Sequence, residues 1–410
     1  MTHFFKVKSL DEVMALIPDF PSVDIETLPI SLVSSRILAQ DINADNDMPI
    51  FRRSTMDGYA VHSNSTFGAS EASPAWLGIA GTIAMGEIPD FTLEPDQAAR
   101  ISTGGMLPQG ADSVVMVEHT ETVEDASVEI YKSVAPLQHV IDRSEDFKKG
   151  QKVLEKGILI RPQEAGLAAA FGFSSLNVFK KPKVAVISTG DEIVPVNETP
   201  GIGKIRDINS HTLAGLIWEG GGEPVLYGIV KDDPDALFAV CKKAVKETDM
   251  VLLSGGSSVG VRDFTVDVLS SLENTEILVH GISISPGKPT ILGRSGNKPV
   301  WGLPGHVSSA MVVFAIVVAP FLKRLRGCSD YSSAKIRIPA KLTRNISSAQ
   351  GRQDFVRVRL IRKRRELFAD PVLGKSGLIR TMVLADGLLE IDENQEGVDK
   401  DTLVDIIPMR

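Results

Sequence analysis

The sequence predicts a multidomain α/β plus β protein, and three features of the chain support this fold class. From Pro182 to about residue 328, apolar runs alternate with helical stretches, which is the pattern of a parallel sheet crossed by helices. Residues 48–140 consist of short alternating runs broken by Gly and Pro, and residues 329–410 return to that texture without a helix pattern. The chain of 410 residues is also too long for a single core.

The opening segment is expected to be helical. Ser9 and Glu12 have the spacing of a capping box, and the apolar residues that follow have helical periodicity. A second helix is predicted around Ser31 to Leu38. Between Lys149 and Phe173 a turn and a strand precede a predicted helix, Pro162 to Gly172, and we expect this segment to return to the opening helices. The resulting domain is discontinuous in sequence.

The central α/β segment contains three predicted strands with two helices between them. The strands are Lys183–Ser188, Pro224–Val230 and Met250–Leu253, and the helices are Ser210–Glu219 and Pro234–Lys246. Parallel strands crossed by helices bind ligands at their carboxyl ends. Four domains are therefore predicted: a discontinuous helical/β linker domain (1–46 plus 141–175), a mostly β inserted domain (47–140), an α/β domain (176–328) and a C-terminal β-domain (329–410).

Composition excludes several classes of function. The formal net charge of −8 does not favour binding to nucleic acid or to an anionic membrane. Basic residues do cluster on one predicted strand, where a solvated strand face is expected: Arg357, Arg359, Arg362, Lys363, Arg364 and Arg365. The sequence has no signal-peptide pattern, and the apolar stretch Ala310 to Leu322 is interpreted as a buried helix too short to span a bilayer. Cys241 and Cys328 are expected to be reduced, so the sequence predicts a cytoplasmic protein.

A glycine-rich loop, Ser254 to Gly260, is the strongest chemical signal of the α/β segment. It follows a predicted strand and precedes a predicted helix, Asp263 to Leu269. Glycines allow the backbone to approach a phosphate closely, and the first turn of the helix offers free N–H groups to it. The Asp263 carboxylate beside such a loop indicates a metal ion, so the loop predicts a phosphorylated ligand with Mg²⁺.

Carboxylates follow all three predicted strands. Glu192, Asp232 and Asp263 are expected at one edge of the sheet, where they would coordinate Mg²⁺ through water and phosphate. Asp233, which precedes Pro234, is instead predicted to be an ordinary helix N-cap.

Two rigid turns follow later strand-like runs. Ser285 to Pro289 contains Pro286, Gly287 and Lys288, and Gly302 to His306 contains Pro304 and Gly305. Lys288 offers a cation for an anionic group. His306 taken alone is more typical of a helix start than of a catalyst, although it would lie at the mouth of the same sheet edge.

Together these sequence motifs resemble those of the MoeA family of molybdopterin molybdenumtransferases. The C-terminal part of gephyrin is also a member of that family. The family motifs occur in order at Ser54 to Ala60, Thr103-Gly104, Ser188 to Glu192, Asp207 to Asn209, Ser254 to Gly260, Pro286 to Pro289 and Gly302 to Gly305. The resemblance covers essentially the whole chain, and the ordered set is far more specific than any single motif.

This resemblance implies the final step of molybdenum cofactor assembly. Adenylylated molybdopterin and molybdate would be the substrates, and AMP would be released with the help of Mg²⁺. The family further implies a homodimer of four-domain subunits, a three-layer MogA-like α/β domain, a β-barrel-like C-terminal domain and an upstream molybdopterin adenylyltransferase as partner. The active cleft would lie between the α/β domain of one subunit and the β-domain of the other.

Site residues are carried over from the family motif by motif. The implied catalytic residues are Asp57 and Thr103 from the partner subunit together with Glu192, Asp232 and Asp263, of which the last three would also bind the metal. The implied ligand-binding residues are Ser188, Thr189, Gly190, Asp191, Ser254, Gly255, Gly256, Ser257, Ser258, Gly260, Pro286, Gly287, Lys288, Pro304, Gly305 and His306.

The chain departs from the family pattern at both turns. Ser285 replaces a lysine of the first turn, His306-Val307 replaces Asn-Pro in the second, and Gly281 lies near the place of another expected lysine. This loss of positive charge beside the oxyanion site, which a protonated His306 would partly restore, leaves three alternatives open. They are a paralogue with altered specificity, such as tungstate, a non-catalytic pterin-binding scaffold, and a nucleotide hydrolase that shares the α/β domain.

Overall fold

The structure, a computed structural model, describes residues 7–255, 259–331 and 336–409, with the backbone alone for residues 259–264. The chain divides into two compact units. The first unit is Met1–Gln40, Lys156–Gly166 and Phe173–Arg410, and the second unit is Asp41–Glu155 and Leu167–Gly172. The boundaries of the four predicted domains stay a prediction.

A six-stranded sheet, the central sheet, organises the first unit. Its strands lie in the order Glu223–Val230, Lys183–Thr189, Met250–Gly255, Lys298–Leu303, Ile291–Ser295 and Thr275–His280. The first four strands are parallel, and each of the last two pairs antiparallel with its neighbour. The three strands predicted from the sequence are confirmed.

Helices cover both faces of the central sheet. Asn209–Glu219 and the helix that begins at Val307 pack on one face, and Pro234–Glu247 and Val259–Ser271 pack on the other. Alternate residues of the strand Lys183–Thr189 therefore enter different buried clusters, which explains its uninterrupted apolar sequence. The predicted three-layer α/β arrangement is confirmed.

One long apolar helix lies in this first unit. It runs without interruption through Val307–Val313, a five-residue π-helical turn Phe314–Val318, and Ala319–Leu325. It is long and apolar enough to cross a membrane, but 72% of its most apolar window is buried inside the protein. The predicted buried helix is confirmed. The prediction that it is too short to span a bilayer is wrong, because the helix extends beyond the apolar run at both ends, from Val307 to Leu325.

Five strands close into a barrel in the C-terminal region. They pair around the ring in the order Gln353–Lys363, Glu366–Pro371, Ile338–Leu342, Leu403–Pro408 and Gly387–Ile391, and the last pairs again with the first. Phe355 and Leu388 of the barrel belong to the same hydrophobic cluster as the long helix. The prediction that this region lacks a helix is wrong, because Arg380–Val383 is helical. With only four residues, two of them buried, this helix has no readable periodicity.

A second six-stranded sheet forms the second unit. Its order is Ser113–Met116, Gly58–Val61, Gln97–Ile101, Ala75–Ile83, Ser127–Ile130 and Thr120–Val123. Two short strand pairs accompany it: Arg53–Ser54 with Val140–Ile141, and Ile42–Asn43 with Lys152–Leu154. The β texture predicted for this part of the chain is confirmed.

The opening residues form fewer helices than predicted. Helix Leu10–Met14 begins with the predicted capping box of Ser9 and Glu12. The predicted helix from Ser31 to Leu38 is wrong, since only Ile30–Leu32 forms a 3-10 turn. Ser35 adopts a left-handed φ of 67°, and the backbone then forms bridges to Leu159 and Val178. This external pairing overrides the local helical pattern.

Nearby segments pair across long sequence distances. Strand Ile25–Pro29 pairs antiparallel with Ser175–Phe179, and helix Pro162–Ala170 precedes that second strand. Further short elements are the 3-10 helices Ile17–Asp19, Ser63–Thr66 and Val117–His119, the strand pairs Ile193–Val194 with Ile205–Arg206 and Ile346–Ser347 with Gly397–Val398, and the strand Ile284–Ser285.

Candidate functional site

A cavity of about 420 Å³, the large cavity, opens at the carboxyl edge of the central sheet. From the strand Lys183–Thr189 the chain crosses first to a neighbour on one side, Glu223–Val230, and then to one on the other side, Met250–Gly255. Such a switch point leaves a crevice where α/β sheets bind ligands. The lining residues are Gly190, Glu192, Ile193, Ile205, Arg206, Asp207, Ile208, Asn209, Asp232, Gly255, Gly305, His306, Val307 and Gly377.

Hydrogen bonds fix the carboxylate of Asp232 in this cavity. Thr189 Oγ1 donates to Asp232 Oδ1 over 2.9 Å, and the Asp232 backbone N–H donates to Asp191 Oδ1 over 3.4 Å. The neighbouring Asp233 has the predicted capping role, since its Oδ1 accepts from the backbone N–H of Asp235 and Ala236. Adjacent carboxylates therefore have separate tasks, one in the cavity and one in the helix cap.

Two glycines at the large cavity, Gly190 and Gly255, allow neighbouring groups to approach their backbone closely. A Cβ on Gly255, whose φ is 142°, would lie 2.0 Å from the carbonyl oxygen of Thr189. A Cβ on Gly190 would lie 2.8 Å from Oε2 of Glu192, so the Glu192 carboxylate folds back against the Gly190 backbone. Because neither glycine has a side chain, both leave backbone groups accessible in this part of the cavity, beside the Glu192 carboxylate.

The side chain of Asn209 connects two of the predicted ligand loops. Its Nδ2 donates to Ser254 Oγ over 2.6 Å and to the Gly305 carbonyl over 2.8 Å, and the residue is 9% exposed. The end of the strand Met250–Gly255 and the turn before His306 are therefore held by one amide. Neither Asn209 nor Asp207 was among the predicted site residues, although both belong to a motif that the sequence displays.

A second cavity of about 280 Å³, the small cavity, lies beside the first. It is lined by Ile284, Ser285, Pro286, Gly287, Lys288, Pro289, Pro304, His306, Ser309, Arg352 and Ser376. The short strand Ile284–Ser285 pairs in parallel with the start of the barrel strand, at Gln353 and Asp354. This pairing brings the first proline turn to the barrel residues, so the small cavity is built by the α/β segment and the barrel together.

The small cavity is electropositive. Lys288 and Arg352 line it, and the Arg352 guanidinium is held in place because its Nε lies 2.9 Å from Asp354 Oδ1. Asp354 is 6% exposed and also accepts a hydrogen bond of 2.9 Å from Ser348 Oγ. The sequence does not predict Arg352, Ser309 and Ser376 as site residues, because only the fold brings them to the predicted turns.

The predicted solvated strand of basic residues is confirmed in all but one position. Arg359 and the four basic residues from Arg362 to Arg365 are exposed. Arg357 is half-buried and donates to Thr381 Oγ1 and to the Gly374 carbonyl. Burial lowers the pKa of the Arg357 guanidinium from its ordinary value. Arg357 therefore supports the segment that carries Ser376, and the prediction of a solvated face was wrong for this residue.

His306 lines both cavities. Its Nδ1 lies 2.9 Å from Ser376 Oγ, and the side chain is exposed. Ser376 lines the small cavity and the next residue, Gly377, lines the large one. The imidazole and this short segment therefore form the wall between a carboxylate-lined cavity and a cation-lined one.

Most predicted ligand residues that the structure describes fall in these two cavities. Ser188 and Thr189 are buried behind the large cavity, and Asp191 and Ser254 act through hydrogen bonds to Asp232 and Asn209. Gly256, Ser257 and Ser258 lie outside the described residues, as do the side chains of Gly260 and Asp263. Among the described residues, no group of three or more His, Cys, Asp or Glu side chains is arranged to hold a metal ion. The metal set Glu192, Asp232 and Asp263 stays a prediction.

Asp57 and Thr103 lie together in the second unit. The backbone N–H of Thr103 donates to Asp57 Oδ1 over 2.7 Å, and both residues are exposed. The structure thus brings the two predicted residues of this unit together. Their predicted contribution to the site of a partner subunit stays a prediction.

Comparisons with known proteins identify the family. Three family models match the chain: "MoeA N-terminal region (domain I and II)" over residues 8–172, "Probable molybdopterin binding domain" over residues 185–324, and "MoeA C-terminal region (domain IV)" over residues 339–409. The chain belongs to the MoeA family. Its predicted membership is confirmed.

Relatives of known name and structure agree with this membership. A molybdopterin molybdenumtransferase of Bacillus subtilis is 31% identical over 92% of this chain and 87% of its own length. A molybdopterin molybdenumtransferase of a Nostoc species is 35% identical over 76% of this chain and 72% of its own length. A crystal structure of a molybdopterin biosynthesis MoeA protein from Pyrococcus horikoshii has a TM-score of 0.81 and 39% identity, covering 99% of this chain and all of its own. The predicted fold class is confirmed. At the level of the family, so are the transferase class and the role in molybdenum cofactor biosynthesis.

Proposed function

We propose that this protein inserts molybdate into adenylylated molybdopterin and releases AMP in a step that depends on Mg²⁺. The observation that carries the proposal is the pair of adjacent cavities, one lined by carboxylates and the other by cations, with His306 between them. A substrate that joins phosphates to an organic ring fits the large cavity, and a small oxyanion fits the small one. The wall between them would bring the two substrates within reach of each other.

The large cavity would hold the phosphates of the pterin substrate. Gly190 and Gly255 present backbone at the end of the sheet, which suits phosphate oxygens. Ile193, Ile205 and Ile208 line the same cavity and would contact the organic part of the ligand. Asn209 would keep the two ligand loops at a fixed distance from each other.

The carboxylates of the large cavity fit Mg²⁺. Oxygen donors from one or two side chains, completed by water and substrate phosphate, are the usual ligands of this ion. Glu192 and Asp232 would hold it, and Thr189 would orient Asp232 through the hydrogen bond to Oδ1. When bound, Mg²⁺ supplies stabilisation of the negative charge that develops as a phosphoanhydride is cleaved.

The small cavity would hold molybdate. Lys288 and Arg352 provide charge, and Ser285, Ser309 and Ser376 provide hydroxyl groups that donate hydrogen bonds to oxyanion oxygens. Because the buried Asp354 fixes the Arg352 guanidinium, this cation would be preorganised before the anion arrives.

Asp57 and Thr103 would complete the site from the second subunit of a homodimer. Their support is the family membership and the hydrogen bond that fixes the Asp57 carboxylate. Mixing the inactive variants Asp57→Asn and Glu192→Gln tests the arrangement. If the groups come from different subunits, mixed dimers recover part of the activity, whereas a site within one subunit gives no recovery.

The decisive experiment incubates the purified protein with adenylylated molybdopterin, Mg²⁺ and molybdate. AMP is measured by chromatography, and active cofactor is measured by reconstitution of an apo-molybdoenzyme. We expect AMP release that requires both molybdate and Mg²⁺, accompanied by active cofactor. AMP release without molybdate would indicate a nucleotide hydrolase, and pterin binding without AMP or cofactor would indicate a non-catalytic scaffold. Competition between molybdate and tungstate then identifies the preferred oxyanion.

A further inference from the structure

We propose that His306 is the titratable cation of the small cavity, so that oxyanion binding there is coupled to uptake of a proton by the imidazole. This inference deepens the proposed function and rests on it. In this proposal His306 helps to select a dianion as the ligand. Its position at the start of a helix would not by itself indicate such a role.

The position of His306 is the first argument. The residue lines both cavities, and its Nδ1 is within hydrogen-bond distance of Ser376 Oγ, at 2.9 Å. Ser376 also lines the small cavity. When the imidazole is neutral, the Ser376 hydroxyl can donate to Nδ1; when it is protonated, Nδ1 donates and the hydroxyl proton is free to turn to an anion. Protonation therefore adds both a charge and a correctly directed donor.

The charges around His306 are the second argument. Lys288 and Arg352 face it from the small cavity. Glu192, Asp207 and Asp232, together with Arg206, face it from the large one. A dianion bound in the small cavity would lie beside the imidazole and would interact favourably with a positive charge there.

The charges of Lys288 and Arg352 do not fully balance a dianion in the small cavity. Arg352 is already paired with the buried Asp354, so part of its charge is compensated before any ligand arrives. Ser285 contributes a hydroxyl and no charge. Lys288 and the fraction of Arg352 that remains uncompensated would face a dianion, and a protonated His306 would bring the local charge closer to balance.

The helix does not need the His306 side chain. Within the described residues, this side chain makes no hydrogen bond to the first turn of the helix that starts at Val307. Replacing it should therefore alter the cavity while leaving the capping of the helix almost unchanged. The imidazole is also exposed, so a charge on it would remain in contact with solvent.

Calorimetric titration of the full-length protein with sulfate and with molybdate tests the proposal. Both anions remain dianions between about pH 6 and pH 8, the range in which an ordinary imidazole titrates. We expect the affinity to fall by up to about tenfold per pH unit as the pH rises. Titration in buffers of different ionisation enthalpy should show proton uptake on binding.

Three variants separate a charged role from a structural one. His306→Asn is neutral, and it should bind with the wild-type affinity at high pH and with no pH dependence or proton uptake. His306→Lys keeps a charge throughout the range, so it should bind as tightly as the wild type at low pH and lose the pH dependence. His211→Asn changes an exposed histidine on the helix Asn209–Glu219, outside the residues that line either cavity, and should behave as the wild type.

The two possible failures are distinguishable. Wild-type binding that is independent of pH, or His306→Asn that keeps the full pH dependence, would overturn the role of His306 while leaving an oxyanion site in place. Absence of sulfate and molybdate binding at every pH would overturn the oxyanion site and the inference together.

Discussion

The two cavities share a wall but are built in opposite ways. The large cavity is formed mainly by segments at the carboxyl edge of the central sheet, and two of its carboxylates, Glu192 and Asp232, lie shortly after strands of that sheet. The small cavity joins a turn after residue 285 to barrel residues that follow it by more than 60 positions, through one short strand pairing. The difference teaches that the two cavities differ in charge because they differ in construction. The carboxylates lie at the sheet edge, together with Arg206, whereas the cations of the small cavity come from the turn and the barrel.

The largest expected effect comes from removing a carboxylate of the large cavity. Asp232→Asn should lower the rate of AMP release by roughly 10²-fold if Asp232 is the proposed metal ligand, because the amide removes a negative charge that Thr189 orients. Molybdate affinity should change little, since Asp232 lies in the other cavity. Asp233→Asn is the matched control, because asparagine caps a helix as well as aspartate does. Equal losses in the two variants would contradict the separation of roles.

Removing a cation of the small cavity should have the opposite signature. Lys288→Gln should weaken molybdate binding by about tenfold, the cost of one charge-assisted hydrogen bond, while binding of the pterin substrate is largely kept. Calorimetric titration with each substrate measures the two effects separately. Lys375→Gln, on the exposed segment beside Ser376 but outside the cavity lining, serves as the control. If Lys288→Gln weakened both substrates equally, the cavities would not be functionally distinct.

Breaking the connection at Asn209 should affect both cavities. Asn209→Ala leaves Ser254 Oγ and the Gly305 carbonyl without their shared donor, and we expect a loss of about 1–3 kcal/mol in the free energy of unfolding. If the two loops bind the pterin substrate as proposed, KM for that substrate should rise by more than kcat falls. Denaturant unfolding and steady-state kinetics check both. A stability loss with unchanged KM would reduce Asn209 to a purely structural role.

The smallest expected effect is an increase in molybdate affinity. Ser285→Lys restores a positive charge at the turn and should tighten molybdate binding by a few-fold, limited by solvent screening at this partly exposed position. Ser285→Gln has similar length without charge and should not tighten it. Binding measured at low and high ionic strength should show the gain shrinking as salt rises. A gain that survives high salt would have to come from something other than charge.

The sequence predicted the sheet edge well for a physical reason. Strand and helix periodicity are local, and a residue that directly follows a parallel strand must lie at the carboxyl edge, so Gly190, Glu192 and Asp232 could be assigned from order alone. Arg352 and Ser376 could not be assigned in this way. Arg352 reaches the small cavity through the pairing of Ile284–Ser285 with the barrel, and Ser376 through hydrogen bonds to His306 and to the backbone of Ser308. Contacts between segments distant in sequence leave no periodic trace in either segment.

The errors in the predicted fold also arise from contacts between segments that are distant in sequence. The segment from Ser31 to Leu38 has a helical pattern, but pairing with residues from elsewhere in the chain keeps it extended. Arg357 sits in a run of exposed basic residues, yet its guanidinium turns inward to Thr381 and the Gly374 carbonyl. In both places a tertiary contact decided between two locally acceptable structures.

The hydrophobic cluster that joins the barrel to the long helix limits how this chain can be divided. Phe355 and Leu388 pack in the same cluster as Val317 and Phe321. A truncation at residue 328, which looks like a natural domain boundary in the sequence, would uncover this apolar face and remove Arg352 and Ser376 from the small cavity. Such a fragment would keep most of the large cavity, without Gly377, and would lose the barrel side of the small cavity. Gene fusions and expression fragments should therefore carry the α/β segment and the barrel as one inseparable module.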